Sequence, residues 1–298
     1  MRIGIVTPVV TRVPGAHSPW EATASIADLA RMAAHADTLG FAHLTCSEHV
    51  AVPVEVAQQR GGTYWDPLAT FGYLAARTEH IRFVTHVLVL GYHHPLEIAK
   101  RYGTLDVVTG GRLTLGFGVG SLAEEFDLLG VEFAGRGERA DDALRALRGA
   151  MSNEVPEYQG SHYAFSGMLV RPHAVQARVP FWIGGRSARS LRRALESGDG
   201  WAPFGLSHAS VHSMLRSVDL PDGFEVVLSA GVLDPLRDPA KTGKLIEAAV
   251  AAGATTVNVS IAADSIDDYC AQLSTLADLA QLESQPSSGP KASDGEKE

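Results

Sequence analysis

Short apolar runs alternate with longer amphipathic stretches from one end of the chain to the other. The run at 2–9 reads as a strand. Residues 25–39 then place Ile26, Leu29, Ala30, Ala33 and Ala36 at helical spacing, ahead of Gly40, which suits a left-handed cap. Further strands are expected at 41–46, 81–90, 112–118, 180–183, 200–204, 225–233 and 255–261. Asp66-Pro67 opens a helix, with aspartate as N-cap and proline at the first helical position, and Pro95 opens the next, which ends near Gly110-Gly111. Other helices are expected over 121–129, 138–151, 187–197, 207–218, 239–252 and 266–282. A polar stretch with turn glycines, 158–172, reads as a short hairpin insertion. About eight β-then-α units, their strands apolar on both faces, predict a parallel (β/α)8 barrel covered by helices. A Rossmann arrangement would need fewer strands or a second domain, and no linker divides the chain. The expected organisation is one domain over 1–283 and a disordered, polar, Pro/Gly-rich tail over 284–298.

Composition narrows the function classes. The 298 residues are 45% hydrophobic and 20% charged, with a formal charge of -9. That charge, with no basic stripe, argues against nucleic acid or an anionic membrane as partner. Cys46 and Cys270 are the two cysteines, far apart and in no metal-ligand spacing, which fits a reducing cytoplasm. The apolar start is too short for a signal peptide, and no run approaches a membrane span.

In a barrel of this kind the active site is built from loops that follow the strands. The second strand ends in Ser47-Glu48-His49. Adjacent strand residues face opposite ways, so Glu48 and His49 are not expected to chelate one ion. His49 is a candidate for hydrogen bonding a cofactor or moving a proton, or else a satisfied structural histidine. His86 interrupts the third apolar run, where a bulge would re-aim it. His93-His94 precede Pro95 and suit helix entry; no H-x-H or H-E-x-x-H occurs, so no metal site is assigned. Gly118-Val-Gly120-Ser-Leu-Ala123 matches a dinucleotide fingerprint but lies in the fourth unit, with no strand-end acidic residue about twenty positions on. Its glycines are read as letting a flat ligand approach the backbone. In Gly184-Gly185-Arg186-Ser187 a strand runs into two glycines, an arginine and a serine at a helix start, a setting for phosphate.

Taken in order, Ser47–His49, 94–100, 104–112, 115–120, Glu124-Glu125-Phe126, 129–133, 136–141, 182–187 and 197–201 resemble the luciferase-like monooxygenase superfamily, in particular its coenzyme F420-dependent branch. The resemblance covers about residues 1–205. It implies a TIM barrel with a flavin or deazaflavin ring over the mouth, backed by a non-prolyl cis peptide in strand three, at His86-Val87 or, second, Thr85-His86. It also implies His49 and Glu124 as catalytic or orienting groups, and Gly184, Gly185, Arg186 and Ser187 as the phosphate grip. Ser121 stands where one sugar-phosphate dehydrogenase branch has a glutamate acid, so that mechanism does not carry over. The function implied is hydride transfer between F420 and a small organic substrate by a homodimer, with FMN-dependent monooxygenation as the alternative. A non-catalytic flavin-binding barrel and a metal-dependent barrel hydrolase are the rivals from other classes.

Overall fold

Eight parallel strands pair side by side until the last meets the first. In the computed structural model, which describes residues 1–285, they are β1 (Arg2–Ile5), β2 (His43–Cys46), β3 (Arg82–Thr85), β4 (Leu113–Gly118), β5 (Phe181–Gly185), β6 (Gly200–Pro203), β7 (Glu225–Leu233) and β8 (Thr256–Ile261). Each pairs with its neighbours in sequence, and β8 closes the barrel on β1 through Thr256↔Arg2 to Val259↔Ile5. The expected barrel is therefore what forms.

Helices α1 (Ile26–Thr38), α2 (Val54–Arg60), α3 (Pro67–Ala75), α4 (Pro95–Thr109), α5 (Ala123–Leu128), α6 (Arg136–Ala150), α7 (Ala188–Ser197), α8 (His208–Leu215), α9 (Pro239–Ala251) and α10 (Ile266–Ala280) occupy the connections. The strands' period of two separates two apolar clusters. Outward residues such as Phe83, Leu115, Phe181, Trp201 and Val257 pack in one core with Leu29, Phe71, Tyr102, Leu147 and Leu273 of the helices. Inward Val84, Trp182, Ala202 and Val227 form a separate cluster inside the barrel. Asp66 and His94 cap α3 and α4, each followed by proline. His94 is thus the helix-entry residue its position suggested.

Several boundaries differ from expectation. The first strand stops at Ile5 rather than reaching residue 9, because Val9 turns the chain at a φ of 74°. The Val9 amide donates to buried Glu21 and that of Val10 to the Pro8 carbonyl, so neither is free for a ladder. The third run splits into β3 and a short piece, Leu88–Val89, that pairs with β4. The expected hairpin is present, Tyr158–Gln159 against Ala164–Phe165. Two features over the barrel mouth lie outside the expected pattern: α2, and a ribbon pairing Thr11–Arg12 with Thr63–Tyr64. Ser284 and Gln285 have no regular structure, and 286–298, the rest of the expected tail, lie outside the described residues. Among the described residues no helix is long and apolar enough to cross a membrane.

Candidate active site

The loop after β2 clamps the break in β3. The Ser47 hydroxyl donates to the His86 carbonyl at 2.7 Å, and the Glu48 amide donates to the Val87 carbonyl at 3.2 Å. The Glu48 carboxylate accepts the Val89 amide at 2.8 Å and pairs with His93 Nε2 at 2.7 Å. On the other side Thr85 Oγ1 donates to the Gly116 carbonyl and accepts the Gly116 amide. Between these clamps the His86–Val87 peptide is cis, the first of the two positions the resemblance implied. His86 and Val87 are both partly exposed. Loss of hydration lowers the His86 pKa, so the imidazole stays neutral. For His93 burial opposes the charged form, but the bond to Glu48 and the charges of Glu48 and Glu97 outweigh it and raise the pKa.

His49 faces a carboxylate, that of Glu125. Glu124 is exposed, on the outer side of α5, and is not brought to His49. Its neighbour Glu125 is 1% exposed and meets His49 Nδ1 at 2.7 Å. Glu125 also accepts the amides of Val50 at 2.5 Å and Ala51 at 3.2 Å and the Tyr92 hydroxyl at 2.6 Å. Four donors use the four lone-pair positions of a carboxylate, so Glu125 acts purely as acceptor and Nδ1 of His49 must carry the hydrogen. Nε2 then presents a lone pair. The His49 side chain is 19% exposed, and no partner for Nε2 occurs among the described residues. Tyr64 packs edge-on against the imidazole, with centroids 4.4 Å apart. Burial, then the Glu125 bond and charge, push the Tyr92 phenol above its ordinary range, so it remains a donor.

A signal for Glu125 lay in the spacing. Leu122 and Phe126, four apart, are buried, and a helical face drawn through them takes in Glu125 and leaves out Glu124. Tyr92 carried no such signal, since it ends a single 3₁₀ turn, Leu90–Tyr92, before α4.

Side chains of the chain itself stand against the glycines. A Cβ at Gly118 would lie 2.6 Å from Val87 Cγ2, and one at Gly184 would lie 2.9 Å from Val87 Cγ1. The Val87 side chain therefore fills the space both glycines leave. Gly120, at a φ of 82°, gives its room to Phe126 and Val89. Gly185, at a φ of 132°, lies over Ser190. Ser187 caps α7, its hydroxyl accepting the Ser190 amide, while Ser190 Oγ accepts the Ser187 amide and the Trp201 indole N–H. The first-turn amides of Ala188 and Arg189 remain for an external acceptor. Arg186 is exposed beside them.

The chain is similar to known proteins in sequence and in fold. An uncharacterised protein of Mycobacterium tuberculosis, Rv0940c, is 29% identical over 182 residues, or 57% of this chain; the match spans 62% of that relative's length. Monooxygenase RslO1 from Streptomyces bottropensis has a TM-score of 0.71 at 19% identity, covering 94% of this chain and 99% of its own. An F420-dependent secondary alcohol dehydrogenase, solved with an F420-acetone adduct, has a TM-score of 0.70 at 14% identity, covering 93% and 97%. At such identities the two structures speak for the barrel alone. The model of the luciferase-like monooxygenases matches residues 1–245, and the chain belongs to that family.

Proposed function

We propose that this chain is an F420-dependent oxidoreductase that moves a hydride between the deazaflavin and a small alcohol or carbonyl compound. The observation that carries the proposal is the His49–Glu125 pair at the end of β2, 2.7 Å apart, with the second imidazole nitrogen unclaimed.

The residues of the mouth fit such a cofactor. Val87, seated on two glycines, offers an apolar support for a flat ring. The start of α7 offers amides and Arg186 to a phosphate. Arg12 and Arg60, from the loops after β1 and β2, donate to Thr63 and Ser121, and among the described residues neither they nor Arg186 meets a carboxylate. Three unpaired guanidiniums on one rim of a chain with a net charge of -9 suit a cofactor bearing several negative groups, which favours F420 over singly phosphorylated FMN.

When bound, the deazaflavin supplies a carbon that gives or accepts hydride. As the substrate carbon loses or gains that hydride, its oxygen must lose or gain a proton. Nε2 of His49 is the group that takes or returns it. Glu125 holds the tautomer that leaves Nε2 basic and stabilises the imidazolium once it forms. Tyr92 and the amides of Val50 and Ala51 keep the carboxylate in place.

Titration of the purified protein with F420 and with FMN, followed by fluorescence quenching, tests the reading. Tighter binding of F420 is expected. Equal or tighter binding of FMN would transfer the chain to oxygen chemistry as a monooxygenase.

A further inference from the structure

Two acids hold the turn that runs from Val87 to Tyr92. Glu48, 8% exposed, spans the chain just after Val87. Its own amide donates to the Val87 carbonyl at 3.2 Å, and its Oε2 accepts the Val89 amide at 2.8 Å. One residue therefore fixes two successive peptides. Oε1 of the same carboxylate meets Nε2 of His93 at 2.7 Å. Farther along the turn the Tyr92 hydroxyl donates to Glu125 at 2.6 Å. Between them Gly91 rests against Phe126 of α5, where a Cβ would stand 2.5 Å from the ring.

The setting of His93 favours its charged form. Its side chain is 11% exposed, and each ring nitrogen faces a carboxylate: Nε2 that of Glu48, and Nδ1 that of Glu97 on α4 at 3.5 Å. Carboxylates only accept, so the arrangement suits an imidazolium with a hydrogen on both nitrogens. Arg101, also on α4, opposes the charge but is itself paired with Glu97 at 2.9 Å. Burial disfavours the ion, yet the two acids outweigh it and raise the pKa. A buried ion pair is weak evidence of stability, and its best-attested use is to fix one arrangement over others. Here the arrangement fixed is that of Val87, whose methyls fill the space that Gly118 and Gly184 leave.

We propose that Glu48 and His93 are positioning residues, whose ion pair sets the segment after Val87 and with it the seat of the cofactor ring. Val87 is that seat in the function proposed above, and the role of the pair rests on that reading. The pair acts through Val87 and, along the turn, through Tyr92 on Glu125.

The first measurement needs no cofactor. In the full chain with valine methyls labelled with carbon-13, Val87 is assigned by its loss in Val87→Ile. As pH rises through the folded pKa of His93, the imidazolium loses its charge and the hold on the segment slackens. The Val87 methyl resonances should therefore move with the midpoint of the His93 ring protons. His93→Arg, charged throughout, should abolish that movement. FMN and F420, which both carry a flat three-ring system, then report on the seat by fluorescence quenching. Glu48→Gln should weaken each cofactor that the parent binds by about tenfold or more, and His93→Gln by about fivefold. The order of the two cofactors plays no part; failure of the cofactor reading would show instead as absence of binding by the parent. A pair that only stabilises the fold would lower the melting temperature of these variants and leave Val87 still across the His93 titration. Val87 methyls that do not move, or a Glu48→Gln chain with the parent's ring affinity, would overturn the proposal. The titration of the native chain decides even if the variants fail to fold.

Discussion

Four donors converge on the two oxygens of Glu125, and that convergence makes it the residue on which the site's geometry depends. Glu125→Gln would turn an amide NH2 toward at least one of those donors. It should cut turnover about 10- to 100-fold, as for groups that orient a working histidine. His49→Ala should cut it further, by about 10²–10⁴-fold, with cofactor affinity nearly unchanged. A His49→Ala enzyme with normal turnover on a true substrate would remove the histidine from the proton path. Gly118→Ala tests the other half of the site. A methyl 2.6 Å from Val87 must displace that side chain, so ring binding should weaken about tenfold or more while the barrel stays folded. Unchanged affinity would mean that Val87 does not support the ring. At this scale the sequence pointed to His49, His86, Val87 and the glycines. It offered Glu124 as a candidate, where the structure sets Glu125 beside His49, because a short helix's phase is set by what it packs on.

Elements show the same division. Asp142, buried on α6, accepts the Tyr158 hydroxyl at 2.6 Å and the amides of His162 and Tyr163 at 2.7 and 3.0 Å. It thereby pins the hairpin to the barrel, and Gly160 is a glycine because a Cβ there would lie 2.3 Å from that carboxylate. Burial works against the ionised form, but these bonds and that of Arg145 hold the carboxyl well below its ordinary range. The stabilisation is present above the unfolded value of 3.8 and is lost as pH falls below it. Asp142→Asn should cost about 1.5–3 kcal/mol and speed amide exchange at His162 and Tyr163. Protection at those amides equal to the parent's would show that the hairpin is held by other contacts. The hairpin was legible from its turn glycines; its anchor, sixteen residues before Tyr158 on a helix, was not.

For the whole molecule, pH stability turns on histidines enclosed by the barrel. His43 is 2% exposed, and burial, opposed by the Asn258 bond, pushes its pKa down to about 3 from 6.5. The unfolded chain takes up a proton near 6.5 that the folded chain refuses. The contribution is full above 6.5 and falls as pH drops toward 3, by about 1.4 kcal/mol per pH unit. The raised pKa of His93 acts with the opposite sign: its stabilisation is full below the unfolded value and is lost as pH rises through the folded one. Urea unfolding between about pH 6 and pH 4 should therefore show a shallower pH dependence for His43→Gln than for the parent, by about one proton. Equal slopes would mean that His43 titrates in the folded barrel.

The sequence by itself determined the barrel, because strand and helix periods are local and eight βα units with doubly apolar strands have few ways to bury them. It also placed the candidate chemistry in the loops after the strands, since strand ends and capping residues are local signals too. What only the tertiary structure decided is which side chains meet: Glu125 with His49 across 76 positions, Val87 with Gly118 and Gly184, and Arg82 with Gln176 across 94. Such contacts depend on the phase of short helices, on where strands break and on the closure of the barrel. All of these are set by packing between distant segments, which no local pattern records.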